Sequence, residues 1–177
     1  MSAILSPAVA AQTNLSFYPV PDGTDDDPTG LNGGCMNMMG DKAICECNII
    51  EACALHATDC LDGCTGAPAH KLVTFLGCFV EGEHPPAAGL VEEGKCMPQA
   101  KDKCLKSSGI DQQKHAACVA HKATQKAVME EIWRKGRKVQ TFPHCEVDGK
   151  LLPQEDEKTA ERTLKKALCK AGARAAC

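Results

Sequence analysis

Cysteine is the residue that most restricts how this chain can fold, because it occupies 13 of the 177 positions. Such a density is typical of disulfide-rich proteins from oxidising compartments, or else of metal-binding proteins. We therefore expect at least four disulfides and an oxidising location: the secretory pathway, a lysosome-like or other organelle lumen, or the extracellular space. Because 13 is odd, at least one thiol is free, intermolecular or paired with a group outside this chain.

The cysteine spacing suggests both structural bridges and one weak redox candidate. Cys60 and Cys64 are close enough in sequence to close a loop. Cys45 and Cys47 form a Cys-x-Cys pair just before a predicted helix start, where a thiolate is stabilised. A disulfide across one residue is strained, which favours distant partners for these two residues. The candidates for structural disulfides are Cys35, Cys45, Cys53, Cys60, Cys64, Cys78, Cys96, Cys104, Cys118, Cys145, Cys169 and Cys177.

Other catalytic or metal-binding chemistry has little support in the sequence. There is no Cys-x-x-Cys and no paired histidine motif, the patterns that zinc sites commonly use. His115 and His121 are six residues apart and do not share a helix face. The Gly-x-Ser-x-Gly signature of many serine hydrolases is also absent. We expect no metal and no cofactor.

The two halves of the chain carry opposite charge. Residues 1–90 contain 2 Lys/Arg and 11 Asp/Glu, whereas residues 91–177 contain 18 and 12. If each half forms a charged face, that face could dock a protein partner. Alternatively, the acidic and basic halves could neutralise each other. Nucleic-acid binding is not expected, because the basic residues are mixed with acids and aromatic residues make up only 3%.

The start of the chain carries few targeting signals. Residues 1–12 have no basic region and only a short apolar run, interrupted by Pro7. They resemble either the end of a truncated leader or the end of a helix whose beginning is missing. No segment approaches the roughly 18 apolar residues of a membrane span. Asn14-Leu15-Ser16 is a glycosylation sequon, relevant only if the chain is secreted.

Apolar periodicity and cap residues predict a mostly helical middle. One strand is expected over residues 14–20. Asn48 is expected to be an N-cap, with Glu51 at the capping-box position. Gly82 and Pro85-Pro86 are expected to end the second helix, Gly109 to end the third, and Asp111 to cap the fourth. The helices are predicted over 48–57, 69–80, 97–106, 111–135 and 156–171.

A hairpin follows the long helix. Asp148-Gly149 is a favoured two-residue turn, and it predicts pairing of residues 145–147 with residues 150–152. Pro143 stands just before the first strand, where a missing N–H is tolerated. Thioredoxin-like folds have a cis-proline at this place, followed by a hairpin and a last helix. We therefore predict a cis peptide bond before Pro143, the alternative being an ordinary loop proline.

Four segments carry a resemblance to a known family. They are Phe17-Tyr18-Pro19, the run Cys45-Glu-Cys-Asn-Ile-Ile-Glu-Ala-Cys53, the Cys104 and Cys118 pair with Gly109 between them, and Pro143-His-Cys-Glu-Val-Asp-Gly149. In this order they resemble gamma-interferon-inducible lysosomal thiol reductases, over roughly residues 14–170. The family's catalytic Cys-x-x-Cys is absent, and Cys35-Met-Asn-Met-Met-Gly40 replaces its Cys-Gln-His-Gly signature with a different spacing.

The resemblance implies a fold and a domain organisation. We expect a single α/β domain over 1–177 with a thioredoxin-like layer that is incomplete at its N-terminus. Residues 14–20 and 139–177 would form that layer, and residues 35–135 a disulfide-rich, mostly helical insertion. The missing strand would leave a sheet edge exposed.

The expected function is a binding or accessory role without reductase activity. The chain would be a catalytically degenerate, thiol-reductase-like subunit of a larger assembly, with a partner at the exposed sheet edge or the charged faces. The alternative is an active thiol-disulfide oxidoreductase that uses Cys45 and Cys47, or a catalytic segment missing from this chain. Without a Cys-x-x-Cys we expect little or no disulfide reductase activity.

Overall fold

The computed structural model describes residues 7–14, 16, 42–83, 100–136, 146–148, 150–152 and 157–177. Helices account for most of these residues. In chain order the elements are α1 (Pro7–Ala10), α2 (Lys42–Ala57), α3 (Gly66–Glu83), α4 (Ala100–Ser108), α5 (Gln112–Ala120), α6 (Lys122–Gly136), β1 (Glu146–Val147), β2 (Lys150–Leu151), α7 (Glu157–Lys170) and a final 3-10 turn (Arg174–Ala176). None of the helices described is long and apolar enough to cross a membrane.

The α/β class with a thioredoxin-like layer is wrong, because the structure is mainly helical. Within the described ranges the only strands are β1 and β2, of two residues each, which pair antiparallel. Leu151 of this hairpin is 58% exposed. Two strands of two residues are too few to form a sheet layer, although Val147 of β1 packs, partly buried, against buried residues of α1, α3 and α7. The hairpin does lie where the sequence predicts it, and Asp148 takes φ +53° in its turn.

Two helices begin earlier than predicted. Helix α2 starts at Lys42, so Asn48 lies inside it and is not its N-cap. Helix α3 starts at Gly66 and ends at Glu83, one residue after Gly82 and two before Pro85, close to the predicted end. The preference of Asn for helix ends is only about 1 kcal/mol or less, so it does not prevent α2 from continuing through Asn48. Leu72, Phe75 and Phe79 of α3, at helical spacing, are fully buried.

The predicted long helix over 111–135 is two helices that meet at His121. Asp111 caps α5 as expected, and its carboxylate accepts from the amides of Gln113 and Lys114 at 2.9 and 3.0 Å. His121 has extended backbone angles and ends α5. Its Nδ1 lies 3.0 Å from the Thr124 hydroxyl and 3.4 Å from the Thr124 amide. The imidazole thus covers the first turn of α6, a role more common for Ser, Thr, Asp or Asn.

The other boundaries lie closer to expectation. Helix α4 spans Ala100–Ser108 and is followed by Gly109 at φ +69°, a conformation that glycine adopts without steric cost. Helix α7 differs from the predicted 156–171 by one residue at each end. The predicted strand over 14–20 lies mostly outside the described residues, and Asn14 and Ser16 are not in a strand.

Two groups of buried residues hold these elements together. The helical core is formed by α2 to α6 and includes Leu55, Leu72, Phe75, Met129 and Ile132. The terminal cluster joins α1, α3, α7 and the final turn. Its members are Val9, Val73, Leu168, Ala173 and Ala176. Helix α3 contributes to both groups, so the two are joined through it.

Candidate functional site

Disulfides cross-link the helices, as the cysteine density predicts. The bridges with both partners described are Cys53–Cys118, Cys60–Cys64, Cys78–Cys104 and Cys169–Cys177. Cys53–Cys118 ties α2 to α5, and Cys78–Cys104 ties α3 to α4. Cys47 is disulfide-bonded as well. This bridge content indicates an oxidising compartment.

The Cys-x-Cys pair lies within a helix rather than before one. Cys45 and Cys47 are both inside α2, where residues two apart point to different sides. Cys47 is 6% exposed and disulfide-bonded. The helix N-terminus that would favour a thiolate is at Lys42, not at Asn48. A redox role was considered because a helix was expected to begin just after this pair. In the structure the helix begins before both cysteines.

Several predicted site residues lie outside the part of the chain that the structure describes. These are Pro143, Cys35, Cys96, Cys145 and the side chain of Cys45. Asn14 of the sequon is described and exposed. Its Oδ1 lies 2.7 Å from the place where a Cβ on Gly63 would stand. Gly63 has φ +87°, so both the backbone angle and this close approach favour glycine there.

His115 is the buried histidine of the helical core. It is 1% exposed and packs against Phe75, with ring centroids 6.2 Å apart. Its Nε2 lies 3.0 Å from the carbonyl oxygen of Ile50. Because a carbonyl only accepts, Nε2 carries the hydrogen and donates it, which links α5 to α2. Burial away from water lowers the pKa of His115 below 6.5, although the hydrogen bond to Ile50 opposes that shift.

This lowered pKa predicts a loss of stability in mild acid. Below about pH 6.5 the unfolded chain binds a proton at this histidine more readily than the folded chain does. We expect the free energy of unfolding to fall as pH decreases from 6.5, by at most about 1.4 kcal/mol per pH unit from this residue. Urea unfolding between pH 7.5 and 5 measures the slope. His115→Gln should flatten it and His70→Gln, at a partly exposed position on α3, should not; equal slopes in both variants would contradict the assignment.

Metal ligands do not converge in the described residues, where no three His, Cys, Asp or Glu side chains could hold an ion together.

A shallow groove of about 500 Å³ lies between α2 and α6 and is lined by His56, Leu61, Ala123, Thr124, Val128 and Glu131, among others. Hydrogen bonds from Arg134 and then Lys135 lower the pKa of Glu131 to about 2. Glu131 is thus ionised and engaged at neutral pH, and it does not serve as a proton donor there.

A strongly charged surface lies at the end of α7. Leu168 faces the terminal cluster, whereas the charged residues from 162 onwards are exposed. We call Arg162, Lys165, Lys166, Lys170 and Arg174 the α7 basic face. Residues 162–177 contain no Asp or Glu, and none of the five cations forms an ion pair with a residue whose side chain the structure describes, a set that does not include Glu157 and Glu161. Cations also suit this position because the C-terminal end of a helix carries partial negative charge.

A disulfide holds the segment after α7 against the helix. Cys169–Cys177 closes a loop that turns at Gly172, which has φ +103°. The amide of Ala173 donates to the Leu168 carbonyl at 3.0 Å. The amide of Ala175 donates to Oε1 of Gln12, at 3.1 Å, so the turn also contacts the segment after α1. The α7 basic face is therefore displayed on a fixed surface.

A groove of about 300 Å³ lies within this surface. It is lined by Arg162, Lys165, Lys166, Cys169, Ala176 and Cys177. Three cations and one disulfide thus share a single depression. The chemistry available there is binding of an anionic group beside a disulfide bond.

No protein-family model, curated protein or solved structure matches this chain. The resemblance to thiol reductases therefore stays a prediction from the sequence. The fold and the basic groove describe a disulfide-bridged helical protein with one strongly cationic end.

Proposed function

We propose that this chain is a disulfide-stabilised binding subunit of a larger assembly, and that the α7 basic face docks an acidic surface of a partner protein. The observation that supports this proposal is the set of five exposed cations without an acidic residue among them. Like charges close together on one surface repel one another, and an acidic partner relieves that repulsion. A binding role of this kind needs no thioredoxin-like scaffold.

Charged faces are better supported as the contact surface than a sheet edge. The hairpin strands β1 and β2 have two residues each and offer few backbone groups for strand addition. The α7 basic face, by contrast, extends over several helical turns and includes the 3-10 turn. The proposed compartment is the lumen of the secretory pathway or a lysosome-like organelle, where the bridges persist.

Charge reversal on α7 tests the docking role. We expect Lys165→Glu/Lys166→Glu/Lys170→Glu to weaken binding to an immobilised poly-glutamate peptide at least about tenfold at 0.1 M salt, because attraction becomes repulsion. Biolayer interferometry at 0.1 and 1 M salt measures the affinity of each variant for the peptide. In the source cells, the tagged wild type should sediment in an assembly larger than a monomer, and the triple variant as a monomer.

A matched triple variant controls for net charge. Lys103, Lys106 and Lys122 are exposed lysines on α4 and α6. Their replacement by Glu changes the net charge by the same amount away from α7, and it should leave most of the binding and the assembly intact. Equal losses in the two triple variants, or a wild type that sediments as a monomer, would overturn the proposal.

A further inference from the structure

The Cys169–Cys177 bridge differs from the other described bridges in its exposure. Cys177 is exposed and Cys169 is partly exposed. Each of the other three bridges with both partners described has at least one cysteine that is at most 1% exposed, namely Cys53 and Cys118, Cys60, and Cys104. A nucleophile in solution therefore reaches the sulfur atoms of Cys169–Cys177 more readily than those of the other three.

The charges around this bridge also distinguish it. Lys165 and Lys166 precede Cys169 by four and three residues on α7, so they lie on the same side of the helix as its sulfur. Both lysines and Arg162 line the groove that contains the bridge.

The other short bridge has a different charge environment. Cys60–Cys64 is flanked by Asp59 and Asp62. Asp59 pairs with Lys114 at 2.6 Å, and Asp62 pairs with Lys135. Its surroundings are thus close to neutral, which makes it an internal control for the effect of charge.

We propose that Cys169–Cys177 is a thiol-disulfide exchange site for small anionic thiols that carry a carboxylate. The carboxylate binds at Arg162, Lys165 and Lys166, which concentrates the thiol beside the bridge. Its thiolate attacks Sγ of Cys177, which is the more exposed residue of the two. The S–S bond breaks, a mixed disulfide forms at Cys177, and the electron pair leaves on Sγ of Cys169.

The lysines assist the leaving group as well as the incoming thiol. A thiolate on Cys169 lies about one helical turn from Lys165 and Lys166, and nearby cations stabilise thiolates. A second thiolate then attacks the mixed disulfide, which releases the small-molecule disulfide and leaves both cysteines reduced. Opening the bridge removes a covalent restraint from the turn that holds Ala173 and Ala176 in the terminal cluster.

Two small thiols of opposite charge, each added separately to the folded full chain, test this site. For each bridge we compare the opening rate with 3-mercaptopropionate to the rate with cysteamine, at equal thiolate concentration and low ionic strength. The two thiolates differ in intrinsic nucleophilicity, and the rate ratio at Cys60–Cys64 measures that difference. We expect the ratio at Cys169–Cys177 to be at least about fivefold larger than the ratio at Cys60–Cys64, and the two ratios to converge at 1 M salt. Acid quenching, alkylation and peptide mass spectrometry measure each bridge separately, and the trapped mixed disulfide should be at Cys177.

Replacement of lysines by neutral residues identifies which side chains produce the preference for the anionic thiol. Lys165→Gln/Lys166→Gln should lower the rate ratio at Cys169–Cys177 to near the ratio at Cys60–Cys64, whereas Lys103→Gln/Lys106→Gln should leave it high. Circular dichroism checks that both variants are folded. Equal ratios at the two bridges in the wild type, faster opening of Cys60–Cys64, or a ratio that stays high in the α7 variant would overturn the proposal. The assay contains no partner protein, so its outcome is independent of the docking role.

Discussion

Replacing both Cys53 and Cys118 with alanine is expected to lower the free energy of unfolding by about 4 kcal/mol. The two residues are 65 positions apart, which is the longest loop closed by a described bridge. A crosslink over a long loop removes more conformational freedom from the unfolded chain than one over a short loop. Both cysteines are also buried, at 0% and 1% exposure, so their removal costs packing as well.

Chemical denaturation of the oxidised proteins measures this loss. Cys60→Ala/Cys64→Ala is the matched control, since its bridge spans a separation of 4 and should contribute only about 2 kcal/mol. The ordering of the two losses matters more than either value. A larger loss from the short bridge would mean that restriction of the unfolded chain is not what these disulfides mainly contribute.

Leu72→Ala is expected to destabilise the protein by about 3 kcal/mol. The side chain is 0% exposed in the helical core, and its removal leaves a cavity that packed helices fill only in part. Thermal and urea unfolding measure the change.

The same substitution at an exposed leucine is the control. Leu151 on the hairpin is 58% exposed, and Leu151→Ala should change stability by no more than about 0.5 kcal/mol. Similar losses at both positions would contradict the placement of Leu72 in the core.

Sequence patterns predict the helices well because burial of one side produces a strong period. Leu72, Phe75 and Phe79 show it in α3. Helix ends are harder to predict, because Asn48 favours a helix start locally and yet lies inside α2, which starts at Lys42. The expectation of a thioredoxin-like layer rests on Pro143, on the hairpin and on the family resemblance. A proline and a hairpin are local signals that do not require a sheet of several strands, and the described part of the chain is mainly helical.

The candidate site could be predicted only in part. The positive charge of residues 91–177 is evident from the sequence, but its concentration on α7 is not, because acids elsewhere in that half conceal it. The signal that was available is the run 162–177, with five cations and no acid. The pairing of Cys169 with Cys177 depends on the turn at Gly172, which spacing alone does not define.

The position of α3 has a consequence for how the molecule unfolds. Leu72 and Val73 are adjacent residues, yet one belongs to the helical core and the other to the terminal cluster. Loss of either group exposes one side of the same helix to water, so α3 links the two into a single cooperative unit. Opening of the terminal cluster at α7 therefore exposes Val73 on the same helix that carries the stacked aromatic pair Phe75 and Phe79.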